Sequence, residues 1–129
     1  MKWIIRPLKE GDHIRVKRPT YFHHGLYVGN NEVIHYTSLQ DDGVSSPDEV
    51  EVRKTSLSFF AKEEIVEVAS LSLKEKFFKR SKKETVRLAT SSLGEKNYSF
   101  IHNNCEDFAN RCAYKKKLTS QTEKLKETL

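Results

Sequence analysis

Phe22-His23-His24-Gly25-Leu26-Tyr27-Val28, then Gly29-Asn30-Asn31, then Val33-Ile34-His35-Tyr36 is the stretch on which the fold turns. Two runs dense in aliphatic and aromatic residues flank three residues that tolerate positive φ, which predicts an antiparallel hairpin. Side chains in a strand alternate between faces, so Phe22, His24, Leu26 and Val28 point one way and His23, Gly25, Tyr27 and Gly29 the other. On the returning strand Val33, His35 and Thr37 share a face. Whether His35 joins His23 depends on register. A three-residue loop, Gly29 to Asn31, sets His35 opposite Gly25 and on the His23 side. A two-residue loop, Asn30-Asn31, sets it on the other side.

Outward from the hairpin, Pro7 to Gly11 is a turn-rich entry to a strand at His13 to Lys17, with Ile14 and Val16 on its apolar face and Arg18-Pro19 ending it. The polar run from Asp41 to Asp48 is a surface loop suited to the border of a cleft. A half-exposed strand follows at Glu49 to Thr55, a short helical turn at Ser58 to Glu64 and a further strand at Ile65 to Ala69. Lys74 to Lys83 is a charged connector. Ser81 with Glu84 three residues on has the capping-box pattern; Val86, Leu88, Ala89 and Leu93 give the ensuing helix a buried side, and Gly94 ends it. Tyr98 to Ile101 is predicted extended. A last helix carries Cys105, Phe108, Ala109 and Cys112 on one apolar face and runs to about Tyr114. There are no internal repeats.

The chain has 129 residues, enough for one domain with its own core, here 1–114, followed by a basic polar tail at 115–129. The 23 Lys and Arg exceed the 18 Asp and Glu by five. That surplus favours anionic surfaces in general and does not single out nucleic acid. Cys105 and Cys112 sit seven positions apart on one helix, about 10 Å by helical rise, too far for a disulfide. No zinc spacing is present, and no metal or cofactor is expected. Trp3-Ile4-Ile5 is too short for a signal peptide and no run approaches a membrane span, so a soluble, cytoplasmic protein is expected.

Cys105, in Asn103-Asn104-Cys105-Glu106-Asp107-Phe108, falls where a loop is predicted to become a helix. Unpaired N–H groups and the helix dipole stabilise an anion there, which makes Cys105 the best candidate for an activated thiolate. A cysteine nucleophile needs an imidazole base and a group that orients it. His23 and His35 are candidates for these, with Gly25 and Gly29 leaving open space beside His23 for the helix end. His24, His13 and His102 read as surface or packing residues.

Three stretches carry a resemblance: Gly11-Asp12-His13-Ile14 with Arg18-Pro19-x-Tyr21-x-His23-x-x-x-Tyr27-Val28-Gly29; Val33-Ile34-His35; and Asn104-Cys105-Glu106-x-Phe108. From about Pro7 to Tyr114 the chain resembles the lecithin:retinol acyltransferase-like family, which includes the small H-Ras-like suppressor acyltransferases. The resemblance implies an α+β fold of permuted papain-like type, an antiparallel sheet bearing the histidines against the cysteine helix. By motif position it implies Cys105 as nucleophile, His23 rather than His24 as base, His35 as the orienting third member, and Tyr21 lining the site for substrate or oxyanion. Asn104 and Glu106 match structural positions. The sequence departs from the family at Asp107, where His is common, and no C-terminal membrane-anchoring helix of the kind many animal relatives carry is expected.

The expected chemistry is acyl transfer or ester hydrolysis through a thioester on Cys105, with the Cys105 N–H as one oxyanion donor and an acyl lipid or ester as substrate. A cysteine amidase or peptidase and a non-catalytic binding module are the alternatives. Lys115-Lys116-Lys117 predicts transient, salt-sensitive contact with an anionic membrane surface, with Phe59-Phe60 or the 41–48 loop as added elements at the cleft mouth.

Overall fold

Among the described residues, six strands pair antiparallel throughout in one sheet whose order is β1-β6-β2-β3-β4-β5. They are β1 (Lys2–Ile4), β2 (His13–Lys17), β3 (Phe22–Tyr27), β4 (Glu32–Thr37), β5 (Glu51–Ser56) and β6 (Glu67–Ser70). This computed structural model describes residues 1–42, 47–96, 101–116 and 118, with the main chain alone at 101–103. The expectations for residues 43–46 of the polar loop, for Tyr98 to Phe100, for the His102 side chain and for Lys117 and 119–129 of the tail lie outside the described residues. An α+β domain with an antiparallel sheet is what the chain forms.

The hairpin resolves in favour of the longer loop. Tyr27 pairs with Val33 and Gly25 with His35. Val28 N–H donates to Glu32 O and Glu32 N–H to Gly29 O, each at 3.0 Å. Gly29, Asn30 and Asn31 all take positive φ, at 89°, 53° and 57°. His23 and His35 therefore share a face.

That face holds one core cluster, Ile14, Val16, Tyr27, Val33 and Val68, closed by Phe60 from α1 (Leu57–Ala61). Ser56 caps α1 by accepting the Phe59 N–H, and left-handed Lys62 ends it. The opposite face, Leu26, Ile34, Tyr36 and Val52, packs against α4 (Ile101–Ala113) and against Ala89 of α3 (Lys82–Ser91). Cys105, Phe108, Ala109 and Cys112 are buried there, as their helical spacing predicts.

Several expectations are corrected. Gly25 leaves no open space: a Cβ built on it lies 2.8 Å from both Phe60 Cε2 and Val33 Cγ1. α1 fills that side and the cysteine helix lies on the other. Gly25→Ala should therefore cost about 1–3 kcal/mol by overpacking; an unchanged urea midpoint would contradict this close packing. Phe60 is a core residue, not part of a cleft mouth. The helix at Ile101 begins within the segment expected to be extended. The charged connector contains α2 (Leu73–Lys76), started by a complete capping box of Ser72 and Glu75. The Ser81 cap is only half a box, because Glu84 turns its carboxylate to Arg80 instead. Leu93 stays 42% exposed, so α3 buries Thr85 and Ala89 rather than the full predicted stripe. Leu118 of the tail packs against the α4 core and donates its N–H to Asn110.

Candidate active site

β3 and β4 are hydrogen-bonded only as far as Gly25↔His35, although β3 begins at Phe22 and β4 runs on to Thr37. Past that last rung the main chain of β3 meets a sulfur atom instead of a strand. Cys105 Sγ lies 3.8 Å from Phe22 O, and the main chain of His24 hydrogen-bonds to it. The cysteine thus reaches the edge of β3 from one face of the sheet, while His23 and His35 occupy the other.

On their own face the two imidazoles form an ordered chain. His23 Nε2 is 2.9 Å from His35 Nδ1, and His35 Nε2 is 2.8 Å from Thr55 Oγ1. The Thr55 hydroxyl donates to Ser56 O, so its oxygen accepts from His35 Nε2–H. That assigns the bare nitrogen of His35 to Nδ1, which accepts from His23 Nε2–H, and leaves His23 with a bare Nδ1. His23 Nδ1 is buried and has no hydrogen-bond partner. Phe60 closes the pair, its ring 5.3 Å from that of His23 and 5.0 Å from that of His35. Burial holds both imidazoles well below their usual pKa, with Arg18 and His24 adding to the effect at His23.

Sequence reasoning missed Asp42. It is buried in the loop after β4 and accepts from Arg18 Nε at 2.7 Å and from the Tyr21 hydroxyl. Its Oδ1 stands 3.4 Å from His23 Nε2, and its charge also bears on the Cys105 thiol. With the imidazole neutral, the His23 contact is an N–H facing a carboxylate rather than an ion pair. The only hint in the sequence was an acid in a turn downstream of Arg18-Pro19-x-Tyr21; no periodicity points to it. Tyr21 stands at the edge of the site with its hydroxyl on Asp42. Burial and that hydrogen bond push its pKa up, so it stays protonated.

Cys105 does not rest as a thiolate. Its pKa is pushed up to about 12, first by burial; the His24 main-chain hydrogen bond opposes the rise, while the Asp42 and Glu106 carboxylates add to it. The expectation of a lowered value fails because α4 starts at Ile101, four residues before the cysteine. The orphan N–H groups of the first turn lie upstream of Cys105, whose own N–H enters the helical ladder. Cys112 is likewise a free, buried thiol, pushed up to about 11 by burial first. Asp107 is exposed and lines a groove with Arg80, Arg111 and Lys115, away from the sulfur.

His24 and His13 are buried packing residues, not surface ones. His24 Nδ1 meets His13 Nε2 at 2.8 Å, and His13 Nδ1 meets the Tyr114 hydroxyl at 2.8 Å, with the Trp3 ring edge-on to both imidazoles. His24 Nε2 faces Glu106 of α4 at 3.8 Å. This second imidazole pair ties β2 and β3 to the cysteine helix from the α4 side. Among the described residues no cluster of His, Cys, Asp and Glu is arranged to hold a metal ion.

A buried cysteine on a helix, set against the edge of an antiparallel sheet that carries a polarised pair of histidines, defines a class of α+β domain with a thiol and imidazoles at one seam. The sequence profile of the family described as Lecithin retinol acyltransferase matches residues 6–118, and the chain belongs to that family. It is 27% identical to lecithin retinol acyltransferase of Mus musculus, over 97% of this chain and 62% of that protein. The Rattus norvegicus and Homo sapiens proteins of the same name are each 28% identical, over 97% and 92% of this chain and 62% and 60% of their own lengths. The chain spans about three fifths of the curated relatives it matches.

Proposed function

We propose that this protein is a cysteine acyltransferase of permuted papain-like type, with Cys105 as nucleophile, His23 as base and His35 as the group that orients it. The observation that carries the reading is the unpaired Nδ1 of neutral, buried His23 at the end of the Thr55–His35–His23 chain. A resting thiol, rather than a standing thiolate, requires such a base in the attacking step.

In that step His23 Nδ1 takes the Cys105 proton while sulfur adds to an ester carbonyl. Collapse of the tetrahedral adduct breaks the ester C–O bond, and the alkoxide leaves with the proton from His23. The acyl group stays on Cys105 as a thioester. An alcohol, an amine or water then gives its proton to His23 and takes the acyl group; the C–S bond breaks and the sulfur leaves with that proton, restoring the Cys105 thiol and neutral His23. The His24 N–H, past the last rung of the ladder and directed at the sulfur, is the main-chain donor suited to the developing oxyanion. Asp42 holds Arg18 and Tyr21 beside the pair, and its carboxylate, 3.4 Å from His23 Nε2, favours the imidazolium formed in transit.

The relatives are named for lecithin and retinol; for this chain we propose a phospholipid-type ester as donor. Incubation with short-chain phosphatidylcholine should add one acyl group to the intact mass, removable by neutral hydroxylamine and mapping to the peptide of Cys105. Absence of the adduct from folded protein with every ester and thioester donor tried, or its appearance on Cys112, would overturn the assignment.

A further inference from the structure

The short helix α2 turns an unusual set of side chains outward. Leu73 and Phe77, four residues apart and so on one side of the turn, are each 81% exposed. Lys74 and Lys76 are exposed beside them. The helix has one acid, Glu75, and the capping box removes it from the surface: its carboxylate accepts the Ser72 N–H at 2.9 Å and the residue is buried. The outward side of α2 is left apolar and cationic.

The chain that follows extends this surface. Lys79 pairs with Tyr114 in an antiparallel bridge, Arg80 N–H donates to Ala113 O and Lys115 N–H to Phe78 O. Lys115 and Lys116 are thereby laid alongside Phe78, the residue after Phe77, with the Lys116 ammonium 5.1 Å from the centroid of the Phe78 ring. Lys74, Lys76 and Lys115 have no acidic partner among the described residues. The nearby acids are engaged or offset: Glu84 with Arg80, and Asp107 within a groove shared with Arg80, Arg111 and the two lysines.

We infer that the outward side of α2, with Lys115 and Lys116, is a docking surface for an anionic phospholipid membrane, Leu73 and Phe77 entering the interface while the lysines meet headgroups. Two large apolar side chains at the tip of a short helix suit shallow insertion into lipid. They offer far less than the roughly 800 Å² that each partner contributes to a standard protein interface. Four lysines around them supply the charge complementarity, and an ammonium near an anionic surface attracts it only within a Debye length. This places lipid contact on α2, a helix the sequence did not show, and the lysines beyond α4 become its flank.

The test is co-sedimentation of the full chain with vesicles of phosphatidylcholine plus phosphatidylserine, and of phosphatidylcholine alone, at low and high salt. It needs no turnover, so its outcome is separate from that of the acyl chemistry. Wild type should bind the mixed vesicles at low salt and lose most binding at high salt or on phosphatidylcholine alone. Leu73→Ser/Phe77→Ser should weaken partitioning by roughly tenfold or more, through lost apolar burial. Lys74→Ala/Lys76→Ala should weaken it by roughly thirtyfold. All four positions are exposed, and an unchanged thermal midpoint would show that the variants fold. No binding by wild type, or equal binding by both variants, overturns the proposal. So does a dimer in solution that the Leu73→Ser/Phe77→Ser variant converts to monomer, which would assign the face to a second copy of the chain.

Discussion

His23→Ala is expected to slow acyl transfer to Cys105 by about 10²–10⁴-fold, the usual contribution of a positioned base. The effect should sit near the upper end because the thiol rests protonated, its pKa pushed up to about 12 by burial and neighbouring carboxylates. His35→Gln should cost less, since the base remains and only its proton order is disturbed. His24→Ala should leave the transfer step largely intact per folded molecule, because His24 bonds to His13 on the opposite face of β3. Thioester formation measured by rapid quench and mass, normalised to folded protein by near-UV circular dichroism, separates the three. Equal loss in His23→Ala and His24→Ala with both folded would remove His23 from the role of base.

Stability is expected to collapse in mild acid. His13, His23, His24 and His35 are all buried and held below their ordinary value near 6.5, His24 at about 3, with burial the leading cause in each. A histidine lowered on folding contributes stability that is complete above the unfolded pKa. The contribution is lost as pH falls below 6.5, where the unfolded chain takes up protons that the folded one refuses. For His24 the loss continues down to about pH 3. Each such group changes the unfolding free energy by at most about 1.4 kcal/mol per pH unit, so four together change it by at most about 5.5 kcal/mol per unit. Against a total of about 5–15 kcal/mol, that unfolds the domain near pH 5. Urea midpoints at pH 7.5 and pH 5.5 check it. Equal midpoints would mean that the imidazole chains carry protons in the folded state.

The parts of this fold that were legible in the sequence are those governed by local periodicity. His13 to Lys17 is the strand its alternation predicts. The Gly29-Asn30-Asn31 loop narrowed the register to two choices, one of which the structure adopts. The helical spacing of Phe108, Ala109 and Cys112 named the buried face of α4 correctly. What was not legible depends on contacts distant in the chain. Nothing near Cys105 in sequence tells that the helix begins a turn earlier or that the sulfur will abut Phe22, 83 positions away. Nothing at Asp42 announces Arg18, Tyr21 and His23 as its neighbours. The Ser72 and Glu75 capping box was readable but was submerged in a run of lysines. The resemblance to a family named His23, His35 and Cys105 together; strand alternation alone left the choice of histidine open.

The interrupted ladder between β3 and β4 has a mechanical implication. Thiol and imidazoles belong to two separate apolar cores, one beneath α4 and one beneath α1, and their alignment is inherited from how those cores are mounted on a shared strand. A loosening of either core shifts the thiol relative to the imidazoles without touching either. In the proposed reaction, fidelity of alignment is then a property of the whole sandwich, and substitutions at Phe60 or Phe108 are expected to act on reactivity as adjustments of distance.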